Sequence, residues 1–395
     1  MQSKAFLIAS LSARILAKAA ARAQQPVMAI DAFADRDTSS FTLKCQRVPL
    51  RTQGKFDPQY MLEAADVIGY RTECLGLVYG SGFEAQPDLL RKLCNGRPLM
   101  GNRPEVLETV SNPLYFSNLL AATGIPFPTT QMSRPADTSG WLSKQAGACG
   151  GSHVSFIPSS SEDDNGRYFQ RHIPGIEWSF LFLANGQDTC PIGFNQALIN
   201  PQQASGDWSY TGSIRLNNGP EGIASQVEQA AQMLTQKLGL VGLNGLDFIV
   251  NGSEWTLIEL NPRPPATLEL WDVSPTPPLF NLHIDACNGL LPSAKLTQPS
   301  GCMAIAVVYA NIDSHVHTDF IWPSWCSDLP WGGNVIKAGD PLCTVRAEGL
   351  DTLTVSQRAL GRRQDIVDQL ARFNSTLING TAHAFEHSSL TLNPR

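Results

Sequence analysis

LDFIVNGSEWTLIELNPRP, residues 246–264, decides the fold. It places Asp247 on one strand and Glu259 on the next, with Asn261 two residues on and Arg263 two further. Side chains alternate along a strand, so positions 259, 261 and 263 share a face if the strand continues that far. With Asp247 opposite, three oxygen ligands and one guanidinium converge. Magnesium takes one or two carboxylates and fills its other positions with water and phosphate oxygens, which this set suits. A hairpin with charges on its solvent face would also read this way. Glu-Leu-Asn-Pro-Arg-Pro, set between an apolar strand and a proline turn, counts against that.

Upstream, WLSKQAGACGGSHVSFI (141–157) ends an apolar strand in Lys144 and follows it with Gly147, Gly150 and Gly151. Glycines let a chain fold over an anion with several N–H groups converging, and Lys144 adds the charge that amides lack. A glycine turn beside a surface lysine gives the same pattern. The Lys precedes the glycines, so this is not a Walker A loop. Between the two motifs, YFQRHIPGIEWSFLFLANG (168–186) joins two strand-like runs through Gln170, Arg171, His172 and Ile173, and Glu177 opens the second run. Such a linker offers backbone donors and acceptors to an adenine edge, and Glu177 or Gln170 could take ribose hydroxyls.

The chain begins with KAFLIA (4–9), an Ala-rich helix near 11–24, and VMAI ending at Asp31, a βαβ opening that ADVIGY (65–70) and LGLVYG (75–80) extend. Residues 1–111 thus read as a small doubly wound α/β domain. Its first turn, Ser10-Leu11-Ser12, lacks the glycines of a dinucleotide site. Asn112-Pro113 starts a helix that stops at Gly124, and a helix is expected from Ala224 to Leu238. Residues 112–295 read as two α+β lobes. CMAIAVVYA and PLCTVRAEG mark a β-rich domain over 296–382, before a loose tail at 383–395.

Of the 395 residues, 43% are hydrophobic and the net charge is −6, which gives no electrostatic reason to expect nucleic acid. Nine scattered cysteines without a CxxC pair imply neither a disulfide framework nor zinc, and a reducing cytoplasm fits. His315 and His317 with Cys326 and Cys343 are too irregularly spaced for a second metal site. Arg14 and Lys18 break the early apolar stretch, so it reads as a domain helix and not a signal peptide, and no other segment is long enough to span a membrane.

The order of these segments resembles the ATP-grasp superfamily: a Lys with a glycine loop, a hinge ending in Gly-x-Glu, then an Asp-Phe strand followed by Glu-x-Asn-x-Arg. The resemblance covers residues 1 to about 290 and implies an ATP-grasp fold behind a Rossmann-like pre-ATP-grasp domain. The end of the chain is similar to the β-rich C-terminal domain of biotin-carboxylase-like members. By this resemblance Lys144 contacts ATP phosphates, Gln170 to Ile173 hold adenine, Glu177 lies near the ribose, Asp247, Glu259 and Asn261 hold Mg²⁺, and Arg263 meets the reacting phosphate. Many members open the helix ahead of the core with Asp-Lys, the Lys being a second phosphate contact. Here Asn112-Pro113 stands there, so Lys144 acts more alone or Arg171 or Arg215 substitutes.

The reaction so implied is carboxylate–amine ligation: ATP phosphorylates a carboxylate, an amine attacks the acyl phosphate, and ADP is released. The substrates are small molecules, and Ser81, Glu84 and Arg215 are candidate contacts. Glu84 follows a glycine turn at the end of a parallel strand, where it could receive an amine or serve as an early-helix carboxylate facing the dipole. The chain is similar to the group containing tyramine–glutamate ligases of methanofuran biosynthesis, which implies glutamate and an aromatic amine. A bicarbonate-activating, biotin-carboxylase-like enzyme and a non-catalytic ATP-binding relic are the alternatives. Apolar segments near the C-terminus permit a homodimer.

Overall fold

The computed structural model describes residues 3–51, 54–157, 164, 166–198 and 208–388, with side chains described as far as 375. Three sheets carry the architecture.

The N-terminal sheet is parallel, in the order Lys44–Arg47, Val27–Asp31, Ser3–Ser10, Thr72–Tyr79. The strand VMAID is buried along its whole length, as expected for a parallel sheet covered on both faces. Its order reverses between the strands ending at Ser10 and Tyr79, and such a reversal opens a crevice at the carboxyl ends of the strands. The expected strand ADVIGY is instead the end of the helix Pro58–Ile68 and the turn after it. Asp57 decides this: its carboxylate caps the helix by accepting from the Gln59 and Tyr60 N–H groups, with Pro58 in the first turn.

A small antiparallel sheet, in the order Thr130–Gln131, Arg167–Arg171, Trp141–Gln145, Ser155–Phe156, forms the lobe that carries Lys144 and the glycine loop. The helix Pro113–Thr123 leads into it. Asn112 accepts from the Leu114 and Tyr115 N–H groups at 3.1 Å each, and Gly124 ends the helix at a φ of 69°.

The large sheet has eight strands, in the order Glu254–Asn261, Val241–Asn251, Ile176–Asn185, Thr189–Ala197, Gly212–Arg215, Cys302–Tyr309, Pro341–Gly349, Cys326–Ser327. Helix Ala224–Leu238 packs Val227, Ala230, Ala231 and Leu234 beneath it against Phe180, Phe182 and Phe248. The strands read as a separate closing domain are continuous with the rest of this large sheet: Cys302–Tyr309 pairs with Gly212–Arg215. Helix Thr352–Ser388, absent from the sequence reading, lays Val355, Ala359, Ile366 and Leu370 on this end of the sheet. It runs six residues into the stretch read as a loose tail; residues 389–395 lie outside the described residues.

Candidate active site

The three parts enclose a cavity of about 1890 Å³. Lys144, the glycine loop, Gln170, His172, Ile173, Glu177, Asp247, Glu259, Asn261, Arg263, Ser81 and Glu84 all line it.

The metal-type set arises from register. Asp247 pairs directly with Glu259 across the antiparallel ladder, and Gly245 pairs with Asn261, so the two carboxylates and the amide face one side. Asn261 Nδ2 donates to Asp247 Oδ2 at 2.8 Å. Glu259 is open to the cavity, yet the cavity lies deep in protein, and burial pushes its carboxyl above the ordinary range. Asp247 is raised further, by burial first and then by Glu259 and Glu177. Like charges collected without an equal number of cations favour a divalent ion. Two carboxylates and an amide are what Mg²⁺ takes beside phosphate oxygens. Among the described residues no three His, Cys, Asp or Glu side chains group as a fuller metal cage.

Lys144 faces this set from the small sheet. Its Nζ donates to Gln170 Oε1 at 2.7 Å. Burial pulls its pKa down, and Glu259 and Glu177 oppose that. Tyr168, paired with Lys144 across the strands, lines the cavity as well; alternation in RYFQR sets Tyr168 and Gln170 on the cavity face. The glycine loop is drawn onto the body of the protein. A Cβ on Gly147 would sit 2.8 Å from Ala85 Cα, and one on Gly151 would sit 1.9 Å from the Trp208 carbonyl oxygen. Both glycines have positive φ, 71° and 81°. Gly150 accepts from Tyr210 N–H at 3.1 Å. Phe156, His172 and Trp208 form a triangle of rings at 5.3–5.8 Å beside the loop, a feature spread over three segments that no motif announced.

Arg263 is held by Glu84: Nε donates to Oε1 at 2.5 Å, while Oε2 accepts from Gly82 N–H at 2.7 Å. The next helix is Pro87–Leu93, so Glu84 is a loop residue and not an early-helix carboxylate.

Two expected cations are elsewhere. Arg171 alternates to the outer face, donating to the Ser139 carbonyl at 2.7 Å and lying over the Trp141 ring. The Arg171 and His172 N–H groups are bonded to the Thr129 and Gly140 carbonyls, so of the hinge's N–H groups neither of these two is available to adenine. Arg215 is buried, donates to the Leu270, Ser300 and Gly301 carbonyls, and does not line the cavity. Neither replaces the missing helix-opening lysine. The Lys and Arg side chains lining the cavity, among the described residues, are Arg14, Arg47, Lys144 and Arg263.

Residues 110–267 match the ATP-grasp domain family. The formate-dependent phosphoribosylglycinamide formyltransferase of Mycolicibacterium gilvum is 31% identical over 116 residues, 29% of this chain and 28% of that enzyme, so the likeness spans well under a third of its length. Biotin carboxylase of Campylobacter jejuni superposes with a TM-score of 0.67 at 10% identity, covering 88% of both chains. N5-carboxyaminoimidazole ribonucleotide synthetase of Thermus thermophilus superposes with a TM-score of 0.65 at 16% identity, over 92% of this chain and 98% of that one. The chain carries an ATP-grasp domain and has the fold of the ATP-grasp superfamily.

Proposed function

We propose that this protein is an ATP- and magnesium-dependent carboxylate–amine ligase working through an acyl phosphate. The observation that carries the reading is the pairing of Asp247 with Glu259 on the cavity floor, with Asn261 beside them and Lys144 and Arg263 facing the same space. Asp247, Glu259 and Asn261 would hold Mg²⁺, which when bound supplies charge neutralisation for phosphate oxygens. Lys144 and the glycine-loop amides bind the triphosphate, and Glu177 and the hinge hold the nucleoside. A substrate carboxylate oxygen attacks the γ-phosphorus, the bond to the β-phosphate oxygen breaks, and ADP leaves. The amine nitrogen then attacks the acyl carbon, the bond to the phosphate oxygen breaks, and inorganic phosphate departs with the proton shed by the amine, while Glu84 keeps Arg263 in place. Phosphoryl transfer asks mainly for positioning and charge neutralisation, which these residues provide without a nucleophilic Ser or Cys.

The finer reading is glutamate joined to an aromatic amine, in a methanofuran-type pathway. The chemistry of the cavity beyond Glu84 supports an amine with an apolar body. Phe33 and Asp35 line it from the N-terminal domain and Asp328 from the C-terminal part. Asp35 is pushed up to about 8 by burial and by Asp328, Asp31 and Asp37, a crowding of carboxylates that an ammonium relieves. Arg14 beside them is fully engaged by Glu269 and Asp328 and is not available to a substrate anion.

Purified protein with Mg·ATP, glutamate and a panel of tyramine, tyrosine, other amines, bicarbonate or none tests this by ADP release. Amine-dependent release that Glu259→Gln reduces about a hundredfold or more is expected. Release driven by bicarbonate alone would replace the ligase reading with the carboxylase one, and nucleotide binding without turnover for any acceptor would leave a binding protein.

A further inference from the structure

The turn that carries Asn261 and Arg263 is gripped by residues outside the ATP-grasp motifs. Pro262, between them, presents its carbonyl to two buried donors: Asn102 Nδ2 at 2.9 Å, and Tyr79 Oη at 2.9 Å, whose one proton is shared with the Asn102 carbonyl at 3.0 Å. Tyr79 ends the last strand of the N-terminal parallel sheet, and Asn102 lies in the segment that leaves this domain. Each is 1% exposed. Asn102 also reaches the other metal-bearing strand: its Oδ1 accepts from Val241 N–H at 2.8 Å, and its Nδ2 lies 2.7 Å from Asn244 Oδ1. One side chain therefore ties the start of the strand bearing Asp247 to the turn that follows Glu259. Gly101 keeps the geometry tight, because a Cβ there would sit 2.9 Å from the Tyr79 ring.

We propose that Tyr79 and Asn102 are positioning residues that hold the Asn261–Pro262–Arg263 turn, and through it the magnesium and phosphate contacts, against the N-terminal domain. Pro262 has no N–H, and the Arg263 N–H is spent within the turn on the Asn261 carbonyl at 2.9 Å, so the backbone of the turn is tied to the N-terminal domain through what the Pro262 carbonyl accepts. Without the clamp the turn keeps its place in the chain but loses a single orientation, and misplacement by about 1 Å costs a site of this kind about a hundredfold. The inference rests on the ligase reading, because it assigns the metal and the phosphate to this turn.

Tyr79→Phe removes one hydroxyl and leaves the ring packed on Phe83, and Asn102→Ser shortens the second donor. The readout is the gain in ADP affinity that Mg²⁺ confers, measured by calorimetry with magnesium and with EDTA, beside each variant's unfolding midpoint. In the wild type, magnesium tightens ADP. Each variant is expected to lose about tenfold of that gain while ADP affinity in EDTA stays within about twofold, and the double variant to lose no more than about the larger single loss, since both act on one carbonyl. If both folded variants keep the full magnesium gain, or lose affinity equally in EDTA, Tyr79 and Asn102 are packing residues only and the inference falls. A wild type whose ADP binding ignores magnesium would overturn the ligase reading itself, which is a separate outcome from variants that match a magnesium-responsive wild type.

Discussion

Replacing Arg14 with Met should cost the fold more than any other single cation. Arg14 is 1% exposed and joins three parts of the chain: bidentate contacts to Glu269 at 2.8 and 2.6 Å, and contacts to Asp328 at 2.7 and 3.1 Å from a helix of the N-terminal domain. Methionine fills similar volume, so the loss is one of charge. Asp328 is partly exposed and regains water, whereas Glu269, 5% exposed on its side chain, is left with Lys18 at 2.9 Å, a half-exposed partner worth little. Stranding one member of a buried pair costs about 3–5 kcal/mol. For a chain of this length unfolding as one unit, that lowers the unfolding midpoint by about 4–6 °C. Arg14 and Lys18 hold Glu269 far below the ordinary carboxylate range despite burial. A depressed carboxylate contributes stability above its unfolded pKa, about 4.3, and that contribution is lost as pH falls through the depressed value. In the variant Glu269 rises instead and takes up a proton in mild acid, so the midpoint deficit should be largest at pH 7 to 8 and shrink at pH 5. A deficit under about 1 °C at pH 7, or one independent of pH by scanning calorimetry, refutes this account.

Gly151→Ala should weaken Mg·ADP binding about tenfold by calorimetry, while Gly150→Ala does less: both have φ near 80°, but only at 151 does the new Cβ strike a backbone oxygen, and at 150 it meets nothing within 4 Å. Equal losses would show that strain, and not the contact with Trp208, governs the loop. For pH, Asp247 and Glu259 are raised, so the folded metal-free protein binds protons that the unfolded chain does not, and stability falls as pH climbs from the ordinary carboxylate range through the raised values. Under the proposed function Mg·ADP would need the ionised pair, so its shift of the unfolding midpoint should be larger at pH 8 than at pH 6; an equal shift would place the metal elsewhere.

Much of the site was legible because its chemistry is local in sequence. Asp247, Glu259 and Asn261 are separated by one hairpin, and strand alternation alone puts them on one face. The helix Ala224–Leu238 and the cap at Asn112 were readable for the same reason, since periodicity and end signals lie within the element. What failed was non-local. Arg215 was counted as a free cation, and only the fold shows it sunk beneath Leu270 and Ser300. Arg171 was assigned to adenine, though alternation in RYFQR already sends it away from Tyr168 and Gln170 once Lys144 is known to pair with Tyr168. ADVIGY is the one local misreading: its composition is strand-like, but the cap at Asp57, nine residues before Asp66, starts a helix that runs through it to Ile68. Arg14 looked like an interruption of an apolar stretch, because its partners are 255 and 314 residues away.

The absent helix-opening lysine sets the balance of charge at the nucleotide end. Pro113 lines the cavity beside Ser117 and Phe116, but it carries no N–H, and Asn112 Oδ1 already takes the Leu114 and Tyr115 N–H groups. That helix end therefore offers a phosphate neither a cation nor these donors, and under the proposed function Lys144 and Arg263 would meet the triphosphate with Arg263 partly neutralised by Glu84. Nucleotide binding should accordingly lean on magnesium more than in a site with two lysines. Pro113→Lys probes this directly. The cap at Asn112 survives, because it acts on residues 114 and 115, and a cation in the first turn costs the helix only about 0.3–1 kcal/mol against its dipole. A second ammonium on the phosphates should tighten ADP measured in EDTA about tenfold and shrink the gain that magnesium adds. If Pro113→Lys leaves both affinities unchanged, the phosphates do not lie between this helix end and Lys144, and the placement of the nucleotide must be redrawn.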